Sequence, residues 1–568
     1  MSAHSTDETE LEKVASCRAA TGTHVSARSG CRIPECLRSI ELSETSVIVL
    51  AAGQGTRMKS RRAKVLHELC GVPMLGHVIR SAKRLSPARL LVVVGRDAEE
   101  VEERFAGEAE FVLQSEQKGT GHAVLVAQPA LGDVEGDVLV LYGDTPLLSP
   151  ETLEQMSKAK QERGADLAVL TARAKNIPGR VARDESGRVS RIIEAQDATP
   201  EELELEERNT GVYLFSADLL REGLASLTPD NAQGELYITD IVGYAVERGL
   251  RVEAVEIDDP DECMGINTRI ELADATGYLR RRIARGHMAA GVTFIDPTSV
   301  YIDADVEIGR DCIIEPGVVI TGNSTLGEGV HVKSGCVIED SHLENDVIIG
   351  PSAHLRPGSH LGPGVKIGNY VEIKNSTLGA GAKAAHLGYI GDADVGAGVN
   401  FSCGAIVVNY DGYKKTRSTI GEGAFIGCNA NLVSPVNIAP RGFVAAGSTI
   451  TKDVASDALA VARNKQRNIE GWVARKEGRA PARKPSTATA GTDASSEVSS
   501  GKPAKKPAKK KAGKKKAAKK NSAKKVAKKS AKKSAKKAVK KKAASKKTST
   551  KTKAAATRKA APKRARRS

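Results

Sequence analysis

The chain reads as an α/β parallel-sheet domain followed by a parallel β-helix, with polar or basic segments at both ends. Three observations carry this reading. Continuously apolar strands alternate with helical stretches between Ser46 and Tyr142, the pattern of a parallel sheet covered on both faces. A strict six-residue period runs from Val347 to Ile373, the mark of short strands stacked coil on coil. After Lys476 the composition turns to Pro, Ala, Ser, Thr and Lys, which cannot bury a core.

At 568 residues there is room for two or three domains. The net charge of +17 is unevenly spread. Gly501–Ser568 carries 32 Lys plus Arg and no acid, so the first 500 residues hold 54 basic against 69 acidic side chains. The body is acidic and the tail supplies the whole positive excess. Nine cysteines occur without CxxC spacing, which argues against a zinc site or disulfide frame and for reduced thiols. No apolar run approaches membrane-spanning length and no signal-peptide core is evident, so a cytoplasmic protein without a transmembrane segment is expected.

Residues 1–45 are polar and aperiodic and contain Cys17, Cys31 and Cys36; a disordered extension is expected. Structure begins at Ser46, with a buried strand at Val47–Leu50 running into Ala51, Ala52, Gly53, Gln54, Gly55, Thr56 and Arg57. Gly53 and Gly55 permit positive φ and close backbone approach, so successive amides can wrap a phosphate. Arg57 and Lys64 add positive charge for a pyrophosphate leaving group. No G-K-S/T follows, which excludes a Walker loop. A helix is expected over Met74–Leu85, a strand over Leu91–Val94, a helix over Glu99–Phe105 and a strand over Phe111–Leu113. A helix opens at Gly121–Val126, and a strand at Val138–Leu141 ends in Tyr142, Gly143 and Asp144. Ligands in such sheets bind at the carboxyl ends of strands, where both the glycine loop and Asp144 fall. His122, at a helix start, is read as packing or capping.

Arg269–Ala290 is charged, with helical spacing at Ile270, Ala273, Leu279 and Ile283, and reads as a helical arm. The six-residue period follows from about Val292. Val347, Ala353, Ser359, Val365 and Val371 hold one hexad position, and Ile349, Leu355, Leu361, Ile367 and Ile373 lie two residues on. Residues two apart share a strand face, so each hexad sends both into one interior. A β-sandwich would not keep this phase over many turns. Ala384–Asp392 interrupts the rhythm, and a break in a regular solenoid is where function tends to sit.

The hexads resemble the left-handed β-helix of hexapeptide acyltransferases. LAAGQGTRM followed by Lys64 resembles the signature of sugar-phosphate nucleotidyltransferases, whose fold is Rossmann-like. Gln114–Ala123, Tyr142–Asp144, Asn209–Gly211, Gly234–Asp240 and Gly265–Asn267 occur in the order expected of one family. That family is the bifunctional N-acetylglucosamine-1-phosphate uridylyltransferase and glucosamine-1-phosphate N-acetyltransferase, and the resemblance covers about residues 46–475. It implies domains at 46–268 (uridylyltransferase), 269–291 (linker) and 292–476 (acetyltransferase), before a basic tail at 477–568. UTP or its product is expected at Leu50, Ala51, Ala52, Gly53, Lys64, Gln114, Gly119, Thr120, Tyr142, Gly143 and Asp144, with Gly179, Glu194 and Asn209 on the sugar side. Asp144 and Asn267 are expected to hold Mg²⁺, for which a carboxylate and an amide oxygen are suitable hard ligands. Ala63 stands where the family usually has proline, which would loosen the loop, and Gln196 stands near a position often held by lysine.

The resemblance also implies His386 as the general base of acetyl transfer, a role its near-neutral pKa suits. Arg356, Lys374, Tyr389 and Asn400 are expected to bind glucosamine-1-phosphate, and Arg356 and Lys374 make sense against a phosphate dianion. Cys403, Asn409, Tyr410, Cys428, Ala446 and Arg463 align with acetyl-CoA contacts. Cys403 and Cys428 depart from the family pattern. An acetyl-cysteine intermediate is conceivable there, but buried cysteine as a small apolar filler is the better reading. A homotrimer is implied. The competing functions are another sugar-1-phosphate nucleotidyltransferase with a merely structural β-helix, and a protein binding nucleic acid or another polyanion through the tail.

Overall fold

The computed structural model describes residues 45–174 and 177–479. Residues 1–44, including Cys17, Cys31 and Cys36, and the basic tail beyond residue 479 lie outside the described residues. The chain divides into two units, one ending at Arg467 and one beginning at Asn468. Within the second, a short helix spans Trp472–Lys476. No helix among the described residues is long and apolar enough to cross a membrane.

The first unit opens with β1 (Ser46–Leu50), a short hairpin of β2 (Glu68–Leu69) and β3 (Val72–Pro73), and α1 (Met74–Arg84). β4 (Arg89–Val94), α2 (Ala98–Arg104), β5 (Glu110–Leu113), α3 (Thr120–Leu131), β6 (Asp137–Tyr142), α4 (Pro150–Arg163) and β7 (Leu167–Ala172) continue the alternation. β8 (Gly179–Arg183), β9 (Val189–Ile193), β10 (Arg208–Ser216), α5 (Ala217–Ser226), α6 (Asp240–Glu247) and β11 (Val252–Glu256) complete the sheet. Its order is β11-β7-β10-β6-β1-β4-β5, with the β8–β9 hairpin joined to β10.

Every residue of β1 is buried because the sheet is covered twice. Val47 and Val49 enter one apolar cluster with Val92 and Val94, while Ile48 and Leu50 enter the other with Leu91 and Val93. The expected all-parallel sheet needs correction. β1, β4, β5 and β6 run parallel, but β10 is antiparallel to both β6 and β7. An antiparallel strand needs no crossover helix, so β8 and β9 can fold back over the carboxyl edge of the sheet.

α7 (Arg269–Ala289) starts with a capping box, in which Thr268 and Glu271 each bond the other's backbone. Its buried stripe is Ala275, Leu279 and Ala284, with Leu272 and Ile283 partly buried against apolar clusters. Ile270 is 75% exposed and Ala273 is exposed, which corrects the expected face. The arm must pack at both ends: Ala275 and Leu279 join Met58, Leu69 and Ile266, while Ala284 joins the β-helix core.

From Thr293 the chain winds through three parallel sheets of ten, nine and eight short strands, a left-handed β-helix. Both hexad positions are buried as expected, from Val347 and Ile349 to Val371 and Ile373. Ser341, Ser359 and Ser376 take the small position and are buried. Their hydroxyls donate to the carbonyls of Glu339, Arg356 and Lys374 at 2.6 to 2.8 Å, which satisfies the buried oxygen.

The expected break at Ala384–Asp392 is not there. Lys383 pairs with Lys366 and Tyr389 with Glu372, in ordinary parallel register. The true insertion lies one turn later, where Asn409–Arg417 leaves the solenoid between Val408 and Ser418. It lengthens one turn, so that Asp394 pairs with Thr419.

Candidate active sites

The first site lies at the carboxyl edge of the mixed sheet. The chain after β1 is tied down by Ala51 N–H to the Val93 carbonyl (2.8 Å) and by Gly143 N–H to the Leu50 carbonyl (2.9 Å). Gly55 has φ 58°, and a Cβ there would sit 2.5 Å from the Lys64 Cβ; the close approach brings Lys64 into the site. Gly53 does not adopt positive φ, contrary to expectation, and space around its Cα is open. Ala63 has φ −52° and ψ 140°, the conformation a proline would impose, so the loop keeps its shape without it.

Lys64 Nζ donates to the Asp144 carboxylate and to Asn267 Oδ1 (2.7 Å). Arg57 donates to the same Asn267 oxygen at 2.8 Å. Asp144 ends the turn after β6, and Ile266 N–H bonds its carbonyl at 2.9 Å. Asn267 N–H donates to Glu271 of the α7 capping box, which fixes that oxygen's orientation. Two hard oxygens from distant parts of the chain thus converge on one cation. The donor set fits a divalent ion that keeps several waters.

Gln114 follows β5 and is buried. Its Nε2 reaches the Gly119 carbonyl at 3.3 Å and His122 Nδ1 at 3.1 Å, so His122 orients Gln114 rather than only packing. Gly119 has φ 101°, and a Cβ there would meet the Leu236 carbonyl at 2.5 Å. Thr120 Oγ1 accepts from Ile238 N–H. A cleft of about 670 Å³ opens beside Gly95, Leu113, Gln114 and Gln117. On the opposite side, Gly179 pairs with Asn209 across β8 and β10. The Asn209 amide donates to Tyr213 Oη at 2.6 Å. Burial, followed by the Asp240 and Asp197 carboxylates, raises the Glu194 pKa, although Thr239 donates to it. Burial, then Glu194 and Asp144, raises that of Tyr142.

The second site uses the middle sheet of the β-helix. At the corner entering that sheet, His386 Nδ1 bonds Asn369 Oδ1 at 2.7 Å. The two are register partners on successive coils. Cys403, Cys428 and Ala446 continue the same corner, tied by Asn429 N–H to the Cys403 carbonyl and Gly447 N–H to the Cys428 carbonyl. Arg463 donates to the Ala446 carbonyl at 2.6 Å. Cys403 is half-buried and Cys428 exposed, so Cys428 is not the expected buried filler; a turn corner faces outward from the prism.

Across the same sheet lie the cations. Arg356 donates to Glu372 at 2.8 Å. Contact with Lys415, then the charges of Lys415 and Arg356, lower the Lys374 pKa. Lys374 and Lys415 lie together beside the Glu372-paired Arg356, a cationic cluster that suits a further anion. Lys415 comes from the inserted turn and was not anticipated, although it follows the Asn409–Tyr410 string closely. Asn409 Nδ2 donates to Asp392 at 2.5 Å and to Tyr389 Oη at 3.4 Å, bringing Tyr389 and Asn409 together. Tyr410 lies farther along the insertion and is exposed. Asn400 is not brought to the cations: it pairs with Lys383 and Phe425 on the preceding sheet.

The MobA-like NTP transferase domain family matches residues 47–237. The bacterial transferase hexapeptide (six repeats) family matches residues 305–340 and 340–375. The chain is 45% identical over 454 residues to the "Bifunctional protein GlmU" of Trichlorobacter lovleyi, covering 76% of this chain and 98% of that one. It is 46% identical over 455 residues to the protein so named in Pelobacter propionicus, covering 76% and 99%. For that of Listeria monocytogenes serotype 4a it is 45% over 450 residues, covering 76% and 98%.

Proposed function

The chain belongs to the family of bifunctional GlmU proteins, and from that premise we infer that it makes UDP-N-acetylglucosamine in two steps at two sites. Residues 292–476 carry acetyl transfer and residues 46–268 uridylyl transfer, joined by the arm at 269–291.

In the first step the amine of glucosamine-1-phosphate attacks the thioester carbonyl of acetyl-CoA. His386 takes a proton from the nitrogen, the C–S bond breaks, and coenzyme A leaves. Asn369 holds the imidazole in orientation. Arg356, Lys374 and Lys415 bind the phosphate, and Tyr389 contributes to the same substrate's site. Acetyl-CoA runs along the corner of Cys403, Cys428 and Ala446, with Asn409, Tyr410 and Arg463 completing its contacts. No cysteine ester is needed, because the amine reaches the thioester directly.

In the second step an oxygen of N-acetylglucosamine-1-phosphate attacks the α-phosphorus of UTP and pyrophosphate leaves. Leu50–Gly53, Gln114, Gly119 and Thr120 hold the nucleotide. Tyr142 and Gly143 also contact UTP or its product, and Gly179, Glu194 and Asn209 line the sugar side. Asp144 and Asn267 would hold Mg²⁺, which supplies charge against the phosphates. Lys64 and Arg57 neutralise the leaving group, so positioning and electrostatics carry the step.

The convergence of Lys64, Asp144 and Asn267 in one unit, with His386 and the three cations built separately on the β-helix, carries this reading. A homotrimer suits the second site. Asn400 lies on a different sheet from the cations of its own chain, and Ile406, Val408 and Phe443 leave apolar surface exposed. We propose that both steps take place in the cytoplasm. The test is Asp144→Ala assayed for both activities. Uridylyl transfer should vanish while acetyl transfer stays near normal. If both fall together in a folded protein, the two sites are not independent and the reading is wrong.

A further inference from the structure

We propose that His342, Glu344 and His360 form a binding site for a divalent transition metal of the zinc class on the third sheet of the β-helix. One donor atom from each residue lies within 4.8 Å of the other two. The site is built by register. Thr325, His342 and His360 occupy one column on successive coils, so the two imidazoles stack with ring centroids 4.7 Å apart, the spacing of neighbouring strands.

Geometry separates this cluster from a solvated ion pair. Thr325 Oγ1 bonds His342 Nδ1, leaving Nε2 as the free donor; fixing one ring nitrogen is how a second partner aims the other at a metal. His360 Nε2 lies 2.9 Å from Glu344 Oε1, close to the roughly 3 Å between ligands on a tetrahedral ion with bonds of about 2 Å. The β-helix supplies its own comparison. His331–Glu315 and His354–Glu339 pair at 2.8 and 2.9 Å, but neither appears in a cluster of three candidate metal ligands among the described residues.

Binding replaces the His360–Glu344 hydrogen bond with two bonds to the ion. It ties together two coils that pair on this sheet through two-residue strands. Two imidazoles and one carboxylate select zinc, cobalt or nickel over magnesium.

The experiment titrates Co²⁺ into the full-length protein with Mg²⁺ in excess to fill hard oxygen sites. Wild type should gain one equivalent with the visible bands of a tetrahedral nitrogen and oxygen set, without thiolate charge transfer. His342→Ala combined with His360→Ala should lose that equivalent, and Thr325→Val should weaken it about tenfold or more. Retained acetyl transfer would certify that the variants fold. If the double variant binds the same equivalent with the same spectrum, or if the bound ion carries thiolate charge transfer in wild type, the assignment is overturned.

Discussion

His386 acts through a contact that its own motif does not contain. Asn369 stands on the preceding coil and holds Nδ1 at 2.7 Å, which in the proposed acetyl transfer leaves Nε2 to meet the substrate amine. Replacing His386 by Ala should lower acetyl transfer by about 10²–10⁴-fold, the usual worth of a positioned base, with uridylyl transfer unchanged. A loss under tenfold would make His386 a structural residue. Cys403→Ala in the same assay should keep its turnover; abolished turnover would reopen the acetyl-cysteine route. The identity of the chemical groups was legible because motifs keep residue types in order. Their supports were not. Asn369 and His386 meet only because one turn of the solenoid brings them into register. His122 supports Gln114 through the fold of a loop, which no periodicity reports.

Among the elements, the β-helix was the most legible, since a buried position every six residues follows directly from two-residue strands and turns. The mixed sheet was less so. A strand buried on both faces is continuously apolar whether its neighbours run parallel or antiparallel, and the reversal of β10 leaves no mark in composition. The inserted turn Asn409–Arg417 was mislocated for a related reason. Ala384–Asp392 departs from hexad composition without departing from register. The insertion makes its own prediction. Lys415→Ala should raise the KM for glucosamine-1-phosphate about tenfold or more, the worth of a charge-assisted hydrogen bond, with little change in kcat. It should also let the Lys374 pKa rise toward its ordinary value, as followed by NMR titration of the lysine. An unchanged KM would remove Lys415 from the phosphate site.

For the molecule as a whole, the unequal division of charge matters most. The 32 positive charges of Gly501–Ser568 stand against an acidic body, and that segment has no aromatic residue. Without aromatics there is no stacking platform for bases, so nucleic-acid binding through it would be electrostatic and indifferent to sequence. Counterion release makes such binding fall steeply with salt, by about 10³-fold or more between 50 and 200 mM when six or more phosphates are contacted. The body repels the same polyanion, so the tail alone must supply the attraction. The full-length protein should therefore shift DNA of arbitrary sequence at low salt and release it at high salt. A chain ending at Lys476 should not bind, yet should keep both activities, because every proposed site residue precedes the cut. Anionic membrane surface is the competing target, since the same charges allow it. Gel shift and sedimentation with anionic vesicles, both at physiological salt, choose between them. If the shortened enzyme loses acetyl transfer, the tail is part of the active assembly and the separation of roles fails.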